Sequence, residues 1–419
     1  MSRIIKNKIY QFNEAPVIVF LISLALSFAL PYDAISRYAL YIALYLSVIY
    51  IFIRRNSIRN RELILPLVII LFGIFEMSWA ALFKSIDYNI VNIEYIRSAK
   101  RMISCAVILF HLISIKDRVG KKTLFLSGVM LLISYLYLSF SGIYYHIQTG
   151  ERIGFGLAAT IGGYIYAVQA LLVMYIVYVS RIKYSSVLLV VLSLFTFYVV
   201  LMTETRAVII IYPLCITLFF IKLKIINIKY LLVLAVLIAA GVSTNLISLQ
   251  PIISRMDSTV YEVNAYQGGT VGTSLGARFS LWKAGLHIIC EHPYGISADE
   301  RNILARKYIT EEQYSNPAAL AALEFHLHND VINIGSLQGI AGMLFLLVFY
   351  VSLIYYSFII TRSILISALL MIPTIFFGLS DTLLYSNKYV CVMLLSLILY
   401  LCFSYLDNRE LEKYKVKTY

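Results

Sequence analysis

Glu324-Phe-His-Leu-His-Asn-Asp-Val-Ile-Asn-Ile-Gly-Ser-Leu-Gln-Gly-Ile-Ala-Gly342 is where a long polar segment runs into an apolar one, for Met343 to Ile360 follows without a charge. Asn329 or Asp330 is placed to cap a helix that enters a bilayer. Gly335, Gly339 and Gly342 punctuate that helix at near-helical spacing. His326 and His328 stand just before the cap. The partial positive charge of a helix N-terminus disfavours imidazolium. A neutral imidazole at a water–membrane boundary is what a general base requires. A histidine that only satisfies a loop carbonyl would look the same in isolation.

Outward from this stretch the chain is 61% hydrophobic and 14% charged over 419 residues, a composition foreign to soluble domains. Runs of about 20 apolar residues, enough to cross a bilayer, recur almost end to end. The expected class is an all-α integral membrane protein with about 12 transmembrane helices. Spans are expected near 15–32, 38–53, 63–83, 102–115, 124–146, 157–180, 185–203, 206–222, 229–249, 331–360, 363–383 and 388–406. This divides the chain into membrane helices over 1–249, a long external loop over 250–330, three more spans over 331–406 and a tail over 407–419. The basic amino end followed by apolar Ala15 to Leu30 has no small-residue cleavage site, so it reads as a retained span.

Net charge is +13, but its distribution argues against nucleic acid. With the connections numbered alternately, one side holds 21 Lys and Arg and the opposite short loops hold eight, while 250–330 has six against nine Asp and Glu. The positive-inside rule then puts both termini in the cytoplasm and 250–330 outside. Five cysteines show no CxxC or metal spacing, and no disulfide framework is implied. Within 276–292, Phe279, Trp282, Leu286 and Ile289 recur at helical intervals, an amphipathic helix ended by Pro293-Tyr-Gly295. Its apolar stripe could pack inside the protein or lie on the bilayer surface. Short helices are expected at 298–309 and 317–325.

Four basic sites face the same side. Arg206 lies in the turn Thr203-Glu-Thr-Arg-Ala207, where a guanidinium can pair with phosphate or simply with Glu204. Arg278 ends Thr273-Ser-Leu-Gly-Ala-Arg278, capped by Thr273 or Ser274. Helix-dipole logic would favour an acid in that first turn, so the arginine points to another use. Arg152 sits in Glu151-Arg-Ile-Gly-Phe-Gly156, and Lys100 in the Arg97 to Arg101 stretch before the fourth span. A lipid-linked phosphate or diphosphate is the anionic partner these cations fit. Among intramembrane polar residues, Glu76, His111, Gln169 and Asp381, the two acids fall near span ends, where water contact is expected. No Walker, HExxH or GxSxG motif and no acidic pair at metal spacing occurs, so no bound metal is expected.

Together these motifs resemble the bacterial O-antigen ligase family. Its signature is a His followed by Asn, Ser or Gln, nine residues, then Gly-x-x-Gly; here His328-Asn329 is followed by Asp330 to Gln338 and Gly339-Ile-Ala-Gly342. Met343 stands where the family often has Thr. Thr205-Arg206, Ser274 to Arg278, Arg152 to Gly156 and Gly378-Leu-Ser-Asp381 also resemble ligase motifs. The resemblance implies a GT-C-like glycosyltransferase of the bacterial inner membrane acting on its periplasmic face. Its donor would be O-polysaccharide on undecaprenyl diphosphate and its acceptor a sugar hydroxyl of lipid A–core. The implied reaction is inverting and metal-independent, with no cofactor. On this reading His328 is the base and Arg206 and Arg278 hold the diphosphate. His326 and Asn329 support the base, Arg152 and Lys100 widen the cationic site, and Asp381 is a further diphosphate-binding or supporting residue. The rival within the superfamily is an O-antigen polymerase, and a rival of another class is a lipid-linked oligosaccharide flippase, for which an internal repeat would be expected.

Overall fold

The computed structural model describes residues 13–54, 60–223 and 250–417, and the regular structure there is helical throughout. In chain order the α-helices are α1 (Ala15–Ser27), α2 (Asp33–Arg54), α3 (Asn60–Leu82), α4 (Asn89–Ser114), α5 (Lys121–Thr149), α6 (Ala159–Val179), α7 (Ser185–Thr203) and α8 (Arg206–Lys222). They continue with α9 (Gln250–Gln267), α10 (Ser274–Glu291), α11 (Ala298–Glu312), α12 (Pro317–Ala322), α13 (Asp330–Thr361), α14 (Ile364–Ser380) and α15 (Asn387–Lys417). Seven of the described helices are long and apolar enough to cross a membrane: α2, α3, α5, α6, α7, α13 and α15. This is the architecture of a multi-pass membrane protein. The helices α1 and α14 are apolar but shorter, and the span expected at 229–249 lies outside the described residues.

Helix α6 and the apolar part of α15 are almost wholly buried and form the centre of the bundle. Around them pack α1, α4, α13 and α14. Helices α3 and α13 meet through stacked rings, Phe72 on Phe349 at 4.5 Å and Phe75 on Phe345 at 4.2 Å. Such offset aromatic pairs add to what burial alone contributes.

Residues 274–327 build a core of their own. Ala277, Leu281, Ala284 and Ile288 of α10 meet Ala305 and Ile309 of α11, Ala319 of α12 and the flanking Leu323 and Leu327. This corrects the expected amphipathic face. Leu286 is 52% exposed, while Ala284 and Gly285 face inward. The reason is close approach: a Cβ on Gly285 would strike Ile332 and Leu327, so small residues set the α10–α13 distance. A third cluster, with Trp79, Tyr95, Ala298 and Leu337, fastens this unit to α3, α4 and α13.

The largest departure from the sequence reading lies inside α13. Gly339 does not continue the helix; it has φ +67° and ψ −163°, a region essentially confined to glycine. The turn Pro293–Ile296 after α10 enters the break. Ile340 N–H donates to the Pro293 carbonyl at 2.9 Å, and Ile296 N–H and Trp79 Nε1–H donate to the Leu337 carbonyl at 2.9 and 2.7 Å. Backbone groups freed by the kink are thus satisfied in place. Gly339 is a docking notch, not helix punctuation, whereas Gly342 lies against Ile334 and Gln338 of its own helix.

Candidate active site

His328 is held on four sides. Its carbonyl accepts from Trp282 Nε1–H at 3.2 Å. Leu327 N–H before it donates to Asn333 Oδ1 at 3.1 Å. Asn329 after it caps α13, its Oδ1 accepting from Val331 and Ile332 N–H, while its Nδ2–H donates to Leu379 O. The side chain of Asn329 is therefore committed to fixing the loop of His328. His328 itself takes φ +51°, a left-handed backbone that it shares with seven other non-glycine residues among those described. Its Nδ1 lies 2.9 Å from Asp381 Oδ1.

Asp381 begins the loop after α14 and is 3% exposed, which corrects the expectation of a water-accessible acid. Burial alone would raise its carboxyl. The hydrogen bond from His328 and the charges of His326, His328 and Arg278 override that and hold it below the usual carboxylate range. An ionised Asp381 accepts from Nδ1–H, so the proton-accepting nitrogen of neutral His328 is Nε2. His326 stacks edge-on against His328 at 4.4 Å between ring centroids. Burial brings His326 down to about 4, with Asp381 opposing and His328, Arg301 and Arg278 reinforcing.

Arg278 lies in the first turn of α10, as expected, with Thr273 as the cap. Its charge reaches Asp381, His326 and Tyr164, yet it has no hydrogen bond or ion pair among the described residues. Arg206 differs. Its guanidinium pairs with Glu262 of α9 and donates to Ser258 at 3.2 Å, and the other Glu262 oxygen accepts from Leu275 N–H at 2.8 Å. Arg206 thus reaches the start of the Arg278 helix through one carboxylate. Arg152 donates to the carbonyls of Thr203 and Glu204 at 3.0 and 3.3 Å, beside the same turn. Tyr164 closes the ring, its hydroxyl 3.1 Å from Ser380 Oγ. Lys100 is exposed on α4, inside a helix and not in a loop before one, and enters none of these contacts.

Two features escaped the sequence reading. Arg301 is fully buried; its NH1 donates to Asn333 Oδ1 at 3.0 Å, and Asn333 Nδ2–H donates to Tyr95 at 2.8 Å. The same Asn333 oxygen holds Leu327, so Arg301 braces the loop of His328. Nothing in the sequence marks it, since one arginine among the six Lys and Arg of a polar segment carries no signal. Glu76, expected near water, is fully buried with neither carboxylate oxygen hydrogen-bonded among the described residues. Finally, His326, His328 and Asp381 offer ligand atoms within 4.8 Å of one another, a grouping that would fit one metal ion with three protein ligands.

Residues 188–347, which include Arg206, Arg278, His328, Gly339 and Gly342, match the family model described as O-antigen ligase. The chain is also 25% identical, over 358 residues, to an O-antigen ligase of Escherichia coli (strain K12), covering 85% of this chain and 84% of that one. The chain is thus similar to the O-antigen ligases over most of its length, and the ligase resemblance of its His-Asn and Gly-x-x-Gly motif stands.

Proposed function

We propose that this protein is an O-antigen ligase that moves O-polysaccharide from undecaprenyl diphosphate to a sugar hydroxyl of lipid A–core at the periplasmic face of the inner membrane. The carrying observation is the His328–Asp381 pair at 2.9 Å, with the charge of Arg278, which has no partner among the described residues, acting on Asp381. His328 Nε2 takes the proton of the acceptor hydroxyl as its oxygen attacks the anomeric carbon. The bond from that carbon to the diphosphate oxygen breaks, and undecaprenyl diphosphate leaves with the electron pair. Attack opposite the leaving group inverts the anomeric centre. Asp381 stabilises the imidazolium that forms, and Arg278 neutralises charge on the departing diphosphate. Arg206 joins Arg278 once the donor displaces or shares the Glu262 carboxylate. Arg152 lies within the same cationic rim, and the positive-inside pattern supports twelve spans with 250–330 outside.

Purified protein is given undecaprenyl-diphosphate-linked polysaccharide and lipid A–core, without ATP and with EDTA, beside His328→Ala and Arg278→Ala. Capped lipopolysaccharide from wild type and none from folded variants is the expected result. Glycan that lengthens on undecaprenyl diphosphate would make the protein a polymerase. Loss of transfer with EDTA, restored by added metal, would overturn the metal-independent mechanism and turn His326, His328 and Asp381 into ligands.

A further inference from the structure

A cavity of about 710 Å³ opens between the α1–α2 turn, the end of α5 and the 150–157 turn, within the size range of small-molecule sites. Its walls carry Tyr32, Tyr137 and Tyr145, the carboxylates of Asp33 and Glu151, and the cations Arg152 and Lys388. The three tyrosines are 55%, 54% and 43% exposed, so their rings are open to an occupant. Glu151 is oriented by a 2.5 Å hydrogen bond from Tyr145.

This mixture selects a chemistry. A prenyl or acyl chain would strip water from four charged groups and return no hydrogen bonds. A bare diphosphate would meet two carboxylates of its own sign. A polyol suits every wall: hydroxyls donate to carboxylates and accept from guanidinium and ammonium, and the phenol rings offer flat apolar faces. Position agrees with composition. Arg152 ties one wall to the carbonyls of Thr203 and Glu204 just before Arg206. Lys388 lies on the first turn of α15, at the end of the loop that begins with Asp381. The cavity is bracketed by the segments that bring Arg206 and Asp381 to the reaction.

We propose that this cavity is a saccharide subsite that holds sugar residues of one of the two glycolipid substrates away from the reacting hydroxyl. Only the origin of that sugar rests on the ligase reading. The full chain in lipid nanodiscs is tested with two soluble probes, core oligosaccharide freed from lipid A and O-polysaccharide fragments freed from the prenyl carrier. Binding is read by saturation-transfer NMR and transfer kinetics in parallel, for wild type, Tyr137→Ala and Asp33→Asn. Each variant is expected to weaken one probe about tenfold, the scale of one aromatic face or one charge-assisted hydrogen bond. KM of the matching lipid should rise by the same factor, with kcat within about twofold. A rise confined to lipid A–core assigns the cavity to the acceptor, and one confined to the prenyl-linked glycan assigns it to the donor. Wild-type transfer with both variants unchanged in both KM values and both probes would overturn the subsite and leave the ligase reading intact. Probe binding lost in the variants, with no transfer by wild type, would do the reverse.

Discussion

Replacing Asp381 by asparagine keeps the shape of the side chain and removes its charge. The amide oxygen can still accept from His328 Nδ1–H and from Thr382 N–H, which donates to the same Asp381 oxygen at 2.9 Å. What disappears is the attraction between carboxylate and the imidazolium that forms as the acceptor loses its proton. At about 4 Å between charge centres this is worth about 4 kcal/mol at an effective dielectric of about 20. The His328 side chain is 27% exposed against 4% for Asp381, so solvent screens part of it and about 2–4 kcal/mol is the working range. At 1.36 kcal/mol per decade that is a loss of about 30- to 1000-fold in rate. Single-turnover transfer at saturating donor and acceptor measures it directly, with donor KM expected to change little. A variant within about threefold of wild type would refute the reasoning. A loss confined to donor KM would instead mean that Asp381 orders the diphosphate site through Arg278.

Gly339→Ala forces a Cβ into the Pro293 carbonyl at a left-handed backbone position; the backbone strain alone costs about 1–3 kcal/mol, and a thermal melt in detergent should show a lowered midpoint. Arg301→Lys withdraws the NH1 donor from Asn333, and transfer should fall more than about tenfold while both KM values stay within about twofold, a split read from steady-state kinetics. His326 carries the pH dependence. Its folded value of about 4 lies below its ordinary 6.5, so between these the unfolded chain binds the extra proton and stability falls as pH drops. The full term is on the order of 3 kcal/mol. Asp381, held low, loses stability only further down, as pH falls through the carboxylate range. Melting midpoints from pH 7 to pH 4.5 should therefore drop less for His326→Gln than for wild type.

Apolar run length and cap chemistry were legible because both are local. Of the two candidates read at each site, Asn329 and Thr273 are the caps; Arg152 lies in a turn, and Arg206 begins α8 just after the turn at Glu204 and Thr205. Burial was not legible where packing decides it. Glu76 and Asp381 looked water-accessible by their place in a span, but neighbouring helices cover both. On α10 the large residues Phe279, Trp282 and Leu286 advertised a face, yet Ala277, Ala284 and Gly285 face the packed side because closeness of approach decided the contact. Helix α9 went unread because its polar composition offers no long apolar run. The His328–Asp381 bond joins residues 53 apart in sequence, a pairing that no local pattern encodes, although Asp381 was already singled out as a supporting residue. Arg301 stayed invisible for the same reason.

The spacing of the His-Asn and Gly-x-x-Gly motif has a mechanical reading that links these points. Nine residues, Asp330 to Gln338, separate the cap from the break at Gly339. At the helical rise they form a strut of about 13 Å. At one end stands His328 in a left-handed turn; at the other the notch grips Pro293 to Ile296, the exit of α10. Helix α10 runs back along the strut, and its Trp282 bonds the His328 carbonyl while its first turn presents Arg278. His328 and Arg278 are thus mounted on two rods clamped at the far end by glycine and cross-linked at the near end by tryptophan. An insertion in 330–338 would rotate His328 by about 100° per residue around the α13 axis and shift it by about 1.5 Å. That would uncouple it from Asp381 while leaving every side chain of the site present, so on the proposed mechanism the spacing is itself a requirement for transfer.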